Sequence, residues 1–260
     1  MQFNKEFWDK QADQFGQSVN AVNFDTLSED LELQTIRSLL NPNDTVCDLG
    51  CGNGRLLSFL RDNGLAGKLV GSDFTEGMIT AANTLKERDP KYQDMSFYHL
   101  DATQPDLGKT LGGNFDAVIT KRLLINLEAD SEREKVLKNI YDLLTPNGIY
   151  LMTECFEEPL QRTNEVREKL NLDAIKVHEF NRYLTSDFME SVTRYFDIVK
   201  MVDFQSTYYF VSRVMNAYLS EGTPSYTAPI NQLAVKLINE ECNIIEGYSP
   251  EVIYCLRKKS

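Results

Sequence analysis

Three glycines at alternate positions, Gly50, Gly52 and Gly54, follow an acid, Asp48, in the stretch TVCDLGCGNG. Glycine has no Cβ, so such a turn can reach positive φ and let a ligand lie directly against the backbone. The helical run that comes next, LLSFLRDNG, would point its first N–H groups at that ligand. Two further acids follow, Asp73 at the end of KLVGSDF and Asp101 after MSFYHL. In a nucleotide-binding α/β fold, an acid roughly twenty residues beyond the glycines holds ribose hydroxyls. The spacing G-x-G-x-G is not the G-x-G-x-x-G of dinucleotide turns, which argues against an NAD-dependent dehydrogenase. Lys121 and Arg122, then Arg182 and Arg213, add cations able to meet a carboxylate or phosphate, and His178 is a candidate general base.

These groups need strands and helices to place them. Val46, Cys47 and Leu49 suit a buried strand, and KLVGSDF, MSFYHL, Phe115 to Thr120 and IYLMTE read as strands two to five. FDIVKMVDF and PEVIYCLRKK read as the sixth and seventh. Helices are predicted over Ser28 to Leu40, Arg55 to Asn63, TEGMITAANTLKER, SEREKVLKNIYDLL, residues 157–175, and from Thr185 or Ser186 to about Phe196. The alternation predicts an α/β, doubly wound, Rossmann-like sheet with helices on both faces. Ligands of open α/β sheets bind outside the carboxyl ends of the strands. That places Thr120, Lys121 and Arg122 beside the ligand and predicts that Glu154, ending strand five, faces the cleft as a second candidate base.

The ordered series resembles the class I S-adenosylmethionine-dependent methyltransferases of small-molecule type. Asp48, Gly50, Gly52 and Gly54 match their D-x-G-x-G-x-G motif, and LLTPNGIYLMTE is similar to their L-x-P-G-G-x-h-h-h segment. Asn147-Gly148 replaces Gly-Gly there and is expected to make a left-handed helix stop. The N-terminal WDKQADQF resembles a W-D-x-x-A-x-x-[FY] segment that folds over the cofactor, which makes Phe15 a candidate lid residue. The match is close over residues 44–154. It implies S-adenosylmethionine as cofactor, S-adenosylhomocysteine as product, and a seven-stranded, three-layer αβα sheet, mostly parallel with an antiparallel last strand. It also implies cofactor contacts from Asp48, Gly50, Cys51, Gly52 and Gly54, with Asp73 on the ribose and Phe74 and Met78 at the adenine. Asp101 would accept from the adenine amino group beside Ala102, and Thr120 and Lys121 would lie near the methionine part.

Composition narrows the class. The chain has 260 residues, 42% hydrophobic and 25% charged, with no apolar run near the ~20 residues that span a bilayer. A single domain is expected: a helical cap over residues 1–41, a cofactor-binding core over 44–154, and a substrate half over 155–260. The net charge of −12 opposes binding to long nucleic acids, which depends on Lys and Arg at phosphates. A small-molecule acceptor, no membrane association, a cytoplasmic location and a monomer or homodimer are expected. The five cysteines suggest free thiols, and no metal site is expected from their spacing.

Substrate choice should lie in the second half. Residues 205–249 separate the last two predicted strands, and an insertion that long is usually functional. It carries Tyr208, Tyr209 and Arg213, read with Arg122 and Arg182 as candidate substrate contacts. HEFNRYL, STYYFVSR and YTAPINQLA resemble methyltransferases associated with surface polysaccharide assembly, which implies a sugar or nucleotide-linked sugar hydroxyl as acceptor. The alternatives left open are N-methylation of a small amine, a different transfer from a related cofactor, and a cofactor-binding module without turnover.

Overall fold

The structure, a computed structural model, describes residues 25–220, 222–239 and 244–260, together with Trp8, Lys10, Gln11 and Gly16. The expected lid residue Phe15 lies outside the described residues. Seven strands form one sheet: β1 Val46–Leu49, β2 Leu69–Asp73, β3 Ser96–His99, β4 Phe115–Lys121, β5 Leu144–Cys155, β6 Phe196–Val202 and β7 Glu251–Lys258. Their spatial order is β3-β2-β1-β4-β5-β7-β6. All pairings up to β5 are parallel, and β7 runs antiparallel between β5 and β6. The order reverses between β1 and β4, which is where such sheets open a crevice at their carboxyl edge.

Neighbouring residues of one strand enter different cores, because side chains alternate across a sheet. Val46, Ala117, Ile119, Leu151 and Ile253 join a cluster with Leu33, Ile36, Leu57 and Leu60. Cys47, Val118, Tyr150, Met152 and Leu256 join a second with Val136, Leu137, Ile140 and Val192. Helices α1 Thr26–Ser38, α2 Arg55–Asp62 and α3 Glu76–Asn83 supply the first layer. Helices α4 Asp130–Leu143 and α6 Met189–Tyr195 supply the second, with α5 Glu157–Lys169 between them in sequence. Both faces are thus covered, as a parallel sheet requires.

Local details depart from the sequence reading for identifiable reasons. The helix expected over Ser28 to Leu40 starts at Thr26, because Asp25 caps it by accepting from the N–H of Ser28 at 3.2 Å. The helix expected over 157–175 stops at Lys169, and the one expected from Thr185 opens with a 3-10 turn, Ser186–Phe188. Asn147-Gly148 makes no left-handed stop, since neither residue takes positive φ. Instead, α4 passes straight into β5 at Leu144, and the pairing slips from Phe115↔Leu144 to Ala117↔Ile149, bulging the residues between. Glycine is needed at 148 for space: a Cβ there would sit 2.9 Å from Leu144 Cδ2 and 3.0 Å from the Phe115 carbonyl.

Between β6 and β7 come α7 Ser206–Phe210, a π-helical stretch Val211–Met215, and α8 Pro229–Asn239. Their buried Tyr208, Val211 and Ala234 join the same core as α1 and α2. The residues expected to choose the substrate are thereby anchored on the layer that α1 and α2 supply. Among the described residues, no helix is long and apolar enough to cross a membrane.

Candidate active site

The glycine turn is built as its spacing requires. Gly50, Gly52 and Gly54 take φ of 79°, 52° and 78°, a region that other residues enter at a cost. The N–H groups of Gly50 and Cys51 donate to the Ser72 carbonyl at 2.7 and 2.9 Å, which ties the turn to β2. Gly52 N–H donates to Asp73 Oδ2 at 2.9 Å, and Thr75 N–H donates to Oδ1 at 2.9 Å. Asp73 is therefore held from both sides and keeps acceptor capacity on each oxygen. Burial pushes its carboxyl above the usual range.

A cavity of about 520 Å³ opens over this turn. On the turn side it is lined by Asp48, Gly50, Cys51, Gly52, Asp73 and Phe74, with Met78, Asp101, Ala102, Lys121 and Arg122 continuing the wall. Asp48 is buried, and burial pushes its carboxyl up to about 7. Its Oδ1 has no hydrogen-bond partner among the described residues. Such an orphaned acceptor in a cavity wall suits a ligand that brings a donor. Asp101 accepts from the N–H and the hydroxyl of Thr103, both at 2.8 Å and both on Oδ1.

The opposite wall comes from elements far apart in sequence. Tyr183, Tyr209 and Tyr226 supply rings, and Asp25, Ser28, Gln205, Arg213 and Glu251 supply polar groups. Those polar groups bond to one another. Arg213 Nη2 donates to Asp25 Oδ2 at 2.7 Å, Ser28 Oγ donates to Gln205 Oε1 at 2.6 Å, and Gln205 Nε2 donates to Glu251 Oε2 at 3.0 Å. Glu251 Oε1 in turn accepts from Arg122 Nη1. The Arg213 guanidinium lies 4.5 Å from the Tyr226 ring and 5.2 Å from the Tyr209 ring. His178 also lines the cavity, exposed, its ring stacked on Phe180 at 5.3 Å. Trp8 and Gln11 belong to the same wall.

Several expected site residues do not reach the cavity. Glu154 is 0% exposed and turns away from the cleft. Its carboxylate accepts from the N–H groups of Leu123, Leu124 and Ile125 at 3.0, 2.9 and 3.3 Å, and from Thr120 Oγ1 at 3.2 Å. It closes the start of the 3-10 turn Leu124–Asn126, so its acceptor capacity serves the backbone. Thr120 is likewise buried, bonded to the Tyr150 hydroxyl at 2.7 Å. Tyr208 is 0% exposed and donates to Asp25 Oδ1 at 2.6 Å, supporting the wall from behind. Arg182 is not part of the wall: its backbone N–H donates to Ile125 and its carbonyl accepts from Arg133 Nη2 at 2.7 Å. Gly54 is a packing position, where a Cβ would come within 3.0 Å of Leu85 and Phe97.

Asp25, Ser28, Gln205 and Glu251 were not singled out by sequence reasoning. For Asp25 a signal existed, because an Asp three residues before a hydrogen-bonding N–H is a good helix cap. Glu251 reads only as the first residue of a strand, and Gln205 carries no local signature.

A doubly wound sheet with an antiparallel seventh strand, a glycine turn after β1 and acids closing β2 and following β3 define the class I, S-adenosylmethionine-dependent methyltransferase fold. The chain belongs to the methyltransferase-domain family, whose sequence model matches residues 40–199. It is 28% identical to the protein-lysine N-methyltransferase EFM4 of Saccharomyces cerevisiae over 124 residues, 45% of this chain and 53% of that protein. The chain thus spans about half the length of that relative. It is 26% identical to the carboxy-S-adenosyl-L-methionine synthase of Nautilia profundicola over 182 residues, 68% of this chain and 73% of that one. In fold it is similar to the N-methyltransferase NodS of Bradyrhizobium japonicum, with a TM-score of 0.58 at 12% identity and 98% of each chain covered. It is also similar to the phosphoethanolamine N-methyltransferase 1 of Haemonchus contortus, at TM-score 0.60 and 19% identity, over 99% of this chain and 48% of that one.

Proposed function

We propose that this chain transfers a methyl group from S-adenosylmethionine to a small molecule held against the second wall of the cavity. The observation that carries this reading is that Asp48, the glycine turn and the doubly bonded Asp73 line one cavity. The residues fit the cofactor in kind. Asp73 offers two oxygens to vicinal ribose hydroxyls, Phe74, Met78 and Ala102 offer apolar contact to an adenine, and Asp48 offers an acceptor to an ammonium. When bound, the cofactor supplies a methyl group already made electrophilic by the sulfonium. The chain then has to hold the acceptor in line, exclude water and take a proton where the acceptor has one to lose.

A sugar hydroxyl is the acceptor we place first. Tyrosine rings beside planar amide, carboxylate and guanidinium groups are the surfaces that hold a polyhydroxylated ring. Arg122 and Arg213 are each held by carboxylates, Glu32 and Glu251 for the first and Asp25 for the second. That pairing favours an uncharged sugar over a nucleotide-linked one, and it also supports a second reading in which the acceptor is a small amine.

Calorimetric titration with S-adenosylmethionine, S-adenosylhomocysteine and NAD tests the cofactor. Binding of the two adenosyl compounds and not NAD is expected; the reverse would sink the proposal. Screening sugars and amines by product mass then identifies the acceptor. His178, exposed on the wall, is our candidate general base. With the acceptor that the screen yields, His178→Ala should lower turnover on the order of a hundredfold or more while leaving cofactor affinity unchanged. Full activity in that variant would remove it from the role.

A further inference from the structure

We infer that β6 pairs edge to edge with β6 of a second copy of this chain, joining two sheets across a two-fold axis. β6 is last in the strand order, so its outer N–H and C=O groups face no strand among the described residues. Its side chains suit company as well. Ile198, Val199 and Met201 are each roughly half exposed, whereas β3, the strand at the opposite edge, carries no large exposed hydrophobic residue.

The charges of the strand select the partner. β6 meets β7 in the pairs Asp197↔Arg257, Ile198↔Leu256, Lys200↔Cys255 and Met201↔Tyr254, with Val199 left over between Ile198 and Lys200. Opposed residues share a face, and side chains alternate along β7, so Asp197 and Lys200 lie on one face and Ile198 and Met201 on the other. A two-fold axis perpendicular to the sheet reverses the strand and keeps each face on its own side. Set through Ile198, it brings Ile198 against its own copy and Asp197 opposite Lys200 of that copy, twice over. Shifted one ladder position either way, the same axis would set Asp197 or Lys200 against itself, like charge on like charge. Charge complementarity therefore fixes the register together with the partner.

A lysine and a bulge on an edge strand commonly guard it against other strands. Against its own copy the lysine meets an acid, so here the guard admits one partner. Asp197 and Lys200 are both exposed. Within its own chain Asp197 meets Lys259 at 3.8 Å, both side chains open to solvent, a pairing of little energetic weight. The glycine turn after β1 lies beyond β4, β5 and β7, well away from this edge.

The test is sedimentation equilibrium of the full chain over a range of concentrations, with thermal melts as the check on folding. Wild type should be a dimer that dissociates on dilution. Lys200→Glu and Asp197→Lys each turn two attractive contacts into repulsive ones, and each should weaken the dimer about tenfold or more. The double variant, Asp197→Lys with Lys200→Glu, exchanges the charges and should bring the dissociation constant back to within about threefold of wild type. If the double variant does not fold, Ile198→Lys takes its place: it sets two lysines against each other on the axis and should abolish the dimer. A wild type that stays monomeric overturns the inference, and sedimentation of that monomer with phosphatidylcholine vesicles would assign the apolar edge to a membrane instead. A dimer indifferent to these substitutions places the interface elsewhere and overturns it too. Weakening in both single variants without recovery in a folded double variant overturns the pairing through Ile198.

Discussion

Asp73→Ala should weaken the binding of S-adenosylhomocysteine about thirtyfold, on the order of 2 kcal/mol, and lower the melting temperature of the ligand-free protein. Two losses combine in that result. The first is the pair of charge-assisted contacts that Asp73 offers to vicinal ribose hydroxyls. The second is the anchor of the glycine turn, since Gly52 N–H and Thr75 N–H both end on this carboxylate at 2.9 Å. With the acid only 8% exposed, water has little room to replace it. Asp73→Asn separates the two losses. An amide can still accept one of the two N–H groups, but its NH2 opposes the other, so it should recover part of the stability and little of the affinity. Titration calorimetry and thermal melts with and without ligand measure both quantities. Unchanged affinity in Asp73→Ala would mean that the ribose lies elsewhere and that the cofactor pose is wrong.

What could be read from the sequence is what is encoded locally. Asp48, Gly50, Gly52 and Asp73 belong to a strand-turn-helix unit and the end of the neighbouring strand, and their spacing alone places them around one crevice. The reading of Lys121 and Arg122 was half complete: their position after β4 put them at the cavity, but their partners lie on α1 and β7, more than a hundred residues apart in the chain. Charges that look available in sequence are therefore committed in the fold. The error at Glu154 is one of direction. Strand residues alternate between faces, and at the carboxyl end of β5 it is Cys155 that meets the cavity while Glu154 turns to the N–H groups of Leu123, Leu124 and Ile125. The acceptor wall had the weakest signal of all. Gln205 and Glu251 flank the long connection between β6 and β7, and only the packing of α7 on the first core brings them to Asp25 and Ser28.

Glu154→Ala should cost about 3–5 kcal/mol of folding stability, although the residue touches no ligand surface. Removing the carboxylate leaves three backbone N–H groups, those of Leu123, Leu124 and Ile125, without their acceptor in the interior. Thr120 Oγ1, which also donates to Glu154, is already engaged with Tyr150. The same turn sets the side chain of Leu123 against Gly50, whose missing Cβ would lie 3.1 Å from Leu123 Cδ1, so cofactor affinity should fall as a secondary effect. The pH dependence carries a sign that distinguishes this role from a catalytic one. Burial pushes the Glu154 carboxyl up to about 7 from its ordinary 4.5, against the pull of the three N–H groups. A carboxyl raised on folding binds its proton more tightly in the native state, so the native state binds more protons than the unfolded chain between those two values. Its contribution to stability is therefore full below 4.5 and is lost as pH rises through 7. Glu154→Gln cannot titrate. Between about pH 5 and pH 8 the wild type should lose on the order of 2–3 kcal/mol more stability than Glu154→Gln. Denaturant melts across that range make the comparison, and parallel curves for the two proteins would show that the carboxylate is ionised throughout and held by its N–H donors alone.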